Sequence, residues 1–180
     1  MWTRRRIFLV PLANDEHGKG RIINGFISQA RHDYYVSANK NPYTLTSHAN
    51  DKIDAFIFPR SYYEVEKGEY NTVRDCLYDH DSFWERLDLI VLPNHTYDRD
   101  FDDNKQMVRC ARDAGFDPIC VPILFDAEYP SSVHEHLRLK WSERWTIFNA
   151  DREHSTSMDQ QLRSIGKDLW WRVSKEILGC

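Results

Sequence analysis

Gly18-Lys19-Gly20 stands between a short apolar run, residues 7–10, and a segment with helical periodicity. A lysine in a glycine-bearing turn between a strand and a helix suits phosphate binding. The backbone N–H groups and helix N-terminus face the anion, the lysine adds a point charge, and a following hydroxyl binds Mg²⁺. The full pattern is G-x-x-x-x-G-K-[ST]. Here Gly18 and Lys19 hold their places, Ala13 stands at the first glycine, and Gly20-Arg21 replace the hydroxyl-bearing position. Asp15 and Glu16 bring negative charge towards an anion site, which disfavours it. One member of Asp15-Glu16-His17 could serve as a general base beside the loop. The same residues also suit a plain flexible loop that opens a helix.

Other clusters are less specific. His134-Glu135-His136 would place two imidazoles on one side of a strand, but a third zinc ligand at a telling spacing is missing. Asp98, Asp100, Asp102 and Asp103 lack the glycine and terminal glutamate of a calcium loop and suit a solvated loop. Cys76, Cys110, Cys120 and Cys180 form no C-x-x-C pair; they read as reduced thiols, mostly buried. Trp141, Trp145, Tyr62 and Tyr63 could stack on a base, although core packing is the default for such side chains.

The loop can act only if its flanks fold as required. Ile7-Phe8-Leu9-Val10 is a continuous apolar run, as in strands buried on both faces. Ile22, Ile23, Phe26, Ile27 and Ala30 recur at helical spacing. Residues 39–51 read as loop, with a short strand before them at 34–36. Further strands are expected at 53–58, 89–92, 119–125 and 145–148; Pro122 predicts an edge or a bulge in the fourth. Helices are expected at 71–87, capped by Asn71-Thr72, at 104–114, closed by Gly115, and at 157–178, where Thr156 and Asp159 resemble a capping box. Residues 133–141 are ambiguous. The alternation predicts one α/β domain over residues 1–180. It is a three-layer sandwich, with a mainly parallel five-stranded sheet and helices on both faces. Ligands of such sheets meet the loops after the strands, here residues 11–19, 59–71, 93–103 and 149–155.

With 180 residues, the chain can bury a real core. The formal net charge of −4 argues against a dedicated double-stranded DNA binder. Arg4-Arg5-Arg6 reads as solvated charge before the first strand, or as part of a local basic groove. The apolar run at residues 7–12 is too short for a signal sequence and no run could span a membrane, so a cytoplasmic, reducing location is expected.

The order of these features resembles phage deoxynucleoside monophosphate kinases and their P-loop relatives. Ile7-Phe8-Leu9 followed by Gly18-Lys19 is similar to their first strand and phosphate loop. Residues 89–93, the turn with Asp98 and Arg99, residues 107–115 and Ile119-Cys120-Val121 look like a late strand–helix–strand unit. Residues 145–149 and the terminal helix look like their closing elements. Phe58-Pro59-Arg60-Ser61-Tyr62 resembles a D-R-x-Y segment, with Pro59 in place of aspartate. The resemblance covers most of the chain.

It implies a cytoplasmic kinase that binds ATP and Mg²⁺. The acceptor would be a deoxynucleoside monophosphate or a hydroxylated pyrimidine, with phage DNA as one setting, and a homodimer is compatible with it. Lys19 would contact the transferred phosphoryl group, while Gly18 and Gly20 let the backbone approach. Arg60, Arg99 and Arg109 would grip phosphates, or else form surface ion pairs, and Asp15, Asp98 or Asp100 would hold Mg²⁺. Gly20 and Arg21 in the metal-ligand place set this chain apart from the family pattern.

A weaker resemblance is to nucleoside 2-deoxyribosyltransferases, through Arg74-Asp75, residues 89–92 and residues 111–121. Their nucleophilic glutamate would fall at Gln106 or Met107, and neither can attack as a carboxylate does. A non-catalytic binding or inhibitor protein on the same sheet is the third alternative.

Overall fold

The computed structural model describes residues 4–14, 18–33, 39, 41–125, 131–149 and 155–179. Five strands form the body of the sheet: β1 (Ile7–Leu12), β2 (Pro42–Thr46), β3 (Lys52–Ile57), β4 (Leu89–Val91) and β5 (Asp117–Phe125). Two short strands, β6 (Glu143–Arg144) and β7 (Ile147–Asn149), complete it. The spatial order is β2-β3-β4-β1-β5-β6, with β7 also pairing with β5. Every described pairing is parallel except β2 with β3.

β1 lies at the centre because every residue in it can be buried. Its side chains alternate between two cores. Ile7 and Leu9 enter one, and Phe8, Val10 and Leu12 enter the other. The first core is roofed by α1 (Lys19–Ala30) and α6 (Ser155–Leu178). The second is covered by α3 (Val73–His80) and α4 (Phe101–Asp113), with Tyr62 of α2 (Tyr62–Val65). Burying each large apolar side chain of these cores contributes roughly 1.5–3 kcal/mol.

The expected strands and main helices are present, and the departures have physical causes. Residues 42–46, expected as loop, form β2. Tyr43 and Leu45 point inward while Pro42 and Thr44 face out, and an edge strand tolerates Pro42 at its first position. β5 is interior, against the expectation drawn from Pro122. Pro122 pairs with Leu12 and falls between the β6 ladder, which ends at Cys120, and the β7 ladder, which starts at Ile123. The strand expected at 145–148 begins only at Ile147, as β7, and the separate β6 precedes it, so the sheet has seven described strands where five were expected. The helix expected over 71–87 stops at His80 and resumes as a single 3₁₀ turn at Trp84–Arg86. Thr72 caps it, its side chain accepting from the Asp75 amide at 3.1 Å. The strand expected at 34–36 and the Thr156 side chain of the capping box lie outside the described residues, while Asp159 pairs with Arg21 and Arg163.

Arg4 is exposed, as expected, whereas Arg5 and Arg6 are half-buried and engaged at the amino ends of the strands. Arg5 pairs with Asp117, Glu143 and Glu176, tying β1 to β5, β6 and α6. Arg6 donates to the carbonyls of Leu87, Ala114 and Glu85 and lies 4.0 Å over the Phe116 ring. Both clamp the amino ends of the strands, opposite the carboxyl ends at which sheets of this kind take their ligands.

β1 and β4 are neighbours, yet α1 leaves β1 on one face and α4 leaves β4 on the other. That divergence opens a crevice at the carboxyl ends of the two strands.

Candidate functional site

A cavity of about 600 Å³ occupies this crevice, within the range of small-molecule sites. Its lining comes from three strand-end segments. Asn14 and Gly18 to Arg21 follow β1, Pro59, Arg60, Ser61 and Glu64 follow β3, and Pro93 follows β4. These are three of the four loops expected to carry the site; the fourth lies largely outside the described residues.

Gly18 is the N-cap of α1, in the left-handed region with φ +82°, and a Cβ there would meet Leu162 Cδ1 at 2.5 Å. The backbone conformation therefore favours glycine, and a larger residue would also push the Leu162 side chain aside. The first intrahelical bond runs from the Ile22 amide to the Gly18 carbonyl, so the amides of Lys19, Gly20 and Arg21 sit at the open, positive end of the helix. Lys19 Nζ donates to the Ala13 carbonyl and, at 3.0 Å, to that of Asn14, which folds the ammonium back over the loop. A Cβ on Gly20 would lie 4.0 Å from the Pro59 carbonyl, so the end of β3 closes against this turn. The exposed guanidinium of Arg60 thereby shares the cavity with Lys19 and Arg21.

The wall opposite α1 rests on a buried polar layer. The Leu12–Asn94 bridge extends the β1–β4 pairing, and Thr96 Oγ1 donates to Asn14 Oδ1 at 2.7 Å. Asn104 joins the layer together: its side chain accepts from Asn94 at 2.9 Å and donates to the His95 carbonyl at 2.9 Å and His136 Nδ1 at 2.7 Å. Burial pushes His136 below the usual histidine range, against an upward pull from the Tyr97 backbone. Nδ1 accepts from Asn104, so the ring is neutral.

His95 reaches the cavity wall. Its Nε2 lies 3.1 Å from Ser61 Oγ and 3.3 Å from Glu64 Oε1, and its Nδ1 lies 3.5 Å from Asp100 Oδ2. His95 and Asp100 are both buried, and it is the contacts of His95 Nε2 with Ser61 and Glu64 that tie the ring to the wall. Glu64 is the single carboxylate among the described residues lining the cavity.

The chain matches no protein-family model and no curated protein.

Of the residues singled out by sequence, Gly18, Lys19, Gly20, Arg21 and Arg60 converge on one cavity. Asp98, Arg99 and Asp100 are not among its described lining. Asp98 is exposed, Asp100 is buried behind His95, and Arg99 stacks 4.5 Å over the Tyr63 ring and 4.9 Å over that of Tyr97. Arg109 is exposed on α4 and faces Asp113. Asp15, Glu16 and His17 lie outside the described residues. His134, Glu135 and His136 fall on a short helix, α5 (Ser131–Leu137), rather than a strand. His134 is exposed and His136 buried, so the two imidazoles do not share one side. Trp141, Trp145 and Tyr62 are core residues.

Glu64, Ser61 and His95 are site residues that sequence reasoning did not single out. Their signal was positional, since each lies in a loop that follows a strand.

Proposed function

We propose that this chain is a phosphotransferase that moves the γ-phosphate of ATP to a nucleotide component. The acceptor is a deoxynucleoside monophosphate or the hydroxyl of a modified pyrimidine. One observation carries the reading: the α1 N-terminus, Lys19, Arg21 and Arg60 surround one cavity at the switch point of the sheet. Such an array binds phosphate oxygens and offsets the charge that develops as the phosphoryl group moves. Amides supply fixed dipoles, Lys19 a point charge, and Arg60 a fork for two oxygens. Positioning by these groups would supply most of the rate.

Mg²⁺ keeps most of its waters and binds through one or two carboxylates plus the phosphates, where it neutralises charge. Glu64 is the carboxylate placed for that role. Asp98 and Asp100 would have to act from outside the described lining.

The test is transfer of label from γ-labelled ATP, with Mg²⁺, to a panel of deoxynucleoside monophosphates and hydroxymethylated DNA. Lys19→Ala is expected to slow transfer about 10²–10³-fold. Absence of both transfer and calorimetric ATP binding in the wild type would sink the proposal.

Glu64 also favours a second reading, N-glycosidic transfer on nucleosides, since a carboxylate at the mouth of this cleft could attack an anomeric carbon. Gln106 and Met107 do not supply that nucleophile: Gln106 accepts from the Val73 amide at 3.4 Å, and Met107 is fully buried. Nucleoside cleavage that survives Lys19→Ala but is lost in Glu64→Gln would favour this reading.

A further inference from the structure

Outside the cavity, Glu66, Cys76 and His80 bring a carboxylate, a thiol and an imidazole together, with all three donor atoms within 4.8 Å of one another. We propose that these residues bind a zinc-class divalent transition metal that braces the crossover between β3 and β4.

Cys76 and His80 stand four residues apart on α3, so they share one face a turn apart. Glu66 comes from the turn that closes α2. Glu66 Oε2 lies 3.8 Å from Cys76 Sγ and 2.9 Å from His80 Nε2. Tetrahedral zinc, with bonds of about 2.0–2.3 Å, separates its donors by about 3.3–3.6 Å. The sulfur–oxygen spacing is thus nearly that of a bound site. The nitrogen–oxygen pair, now at hydrogen-bond distance, needs to open by only about half an ångström.

The donor set selects the metal. Thiolate and imidazole suit zinc or cobalt, whereas magnesium and calcium take oxygen. Glu66 and Cys76 are 1% and 0% exposed, so their donor atoms lie in the protein interior, shielded from bulk water. The rings of Phe56, Phe58 and Tyr70 surround His80, fix its plane and keep the site largely dry. The His80 side chain retains 19% exposure, which leaves water access to a fourth ligand position. Binding releases the Cys76 thiol proton to solvent and displaces the proton that His80 Nε2 shares with Glu66 Oε2, so that two bonds to the metal replace the Glu66–His80 contact. The segment so pinned begins at Ser61 and Glu64, on the wall of the phosphate cavity. The inference does not depend on what that cavity does.

The experiment is a titration of the chelator-treated, full-length protein with Co²⁺, followed by absorption. A thiolate-to-cobalt charge-transfer band in the near ultraviolet, saturating stoichiometrically, is expected. It should vanish in Cys76→Ser and persist in Cys110→Ser. Zinc at a hundredfold excess over its Kd should raise Tm by about 5–10 °C. A wild-type protein with no such band, or a band that survives Cys76→Ser, overturns the inference and leaves a buried Glu66–His80 hydrogen bond. The wild-type spectrum decides whether a thiolate binds even if Cys76→Ser fails to fold, and His80→Asn then locates the site.

Discussion

At the scale of single residues, the cations that line the cavity are distinct from those that hold the amino ends of the strands. Arg5 and Arg6 look like an anion-binding run in sequence, yet their guanidinium groups are spent on ion pairs and on carbonyls at the amino ends of the strands. Arg60 is exposed and lines the cavity. A lysine keeps the charge but cannot form the planar, two-pronged contact of arginine with a phosphate. Arg60→Lys is therefore expected to weaken nucleotide binding by roughly tenfold, the order of one charge-assisted hydrogen bond, with Tm unchanged. Calorimetric titration with ATP beside a thermal melt checks both halves. Equal affinity in wild type and variant would remove Arg60 from the phosphate site.

At the scale of elements, α1 presents its N-terminus to the cavity because α6 lets it approach. Gly25 faces the Arg163 backbone, and Gly166 faces the backbone of Ile22 and Phe26; a Cβ at either position would overlap main-chain atoms. Backbone cannot yield as a flexible side chain does, so the two helices would have to part. Gly166→Ala is expected to cost about 1–3 kcal/mol, the range for overpacked cores, and to weaken ATP binding by tilting α1. Urea unfolding measures the first effect and calorimetry the second. Unchanged stability would show that the helices slide without cost. The amphipathic faces of both helices were plain from their apolar spacing. That their contact turns on two glycines was not, because a glycine inside a helix carries no mark of what approaches it.

At the scale of the whole molecule, the polar layer beneath the cavity should give the fold a pH dependence. His136 is held neutral by burial, and its pKa lies below the ordinary 6.5. An unfolded chain takes up that proton near 6.5 while the folded chain resists it. Over the window between the folded value and 6.5, the unfolded state binds more protons, so stability rises with pH. The contribution is complete above the window and is lost as pH falls through it. Burial pushes the Asp103 carboxyl up despite its bond to Lys67, which gives an opposite slope starting from a more acidic value. Urea midpoints at about pH 7.5 and about pH 5.5 should fall on acidification. His136→Gln should reduce the difference between them. An equal difference in the variant would assign the pH dependence to other groups. Among the described residues, no helix is long and apolar enough to cross a membrane.

The sequence by itself determined the α/β alternation, the buried first strand, the turn at Gly18-Lys19 and the caps at Thr72 and Gly115. These depend on local periodicity and on the backbone freedom of single residues, and neighbouring residues carry that information. Pairing order belongs to the tertiary structure. It placed β2 at one edge, kept β5 inside despite Pro122, and set β1 beside β4, so that two helices diverge over one crevice. Arg60 was nominated by its motif, but its meeting with Lys19 depends on β3 ending against the Gly20 turn. The Glu66–Cys76–His80 cluster had half its signal in the helical spacing of Cys76 and His80. Glu66 joins them across ten residues and a change of element, and only packing brings it there.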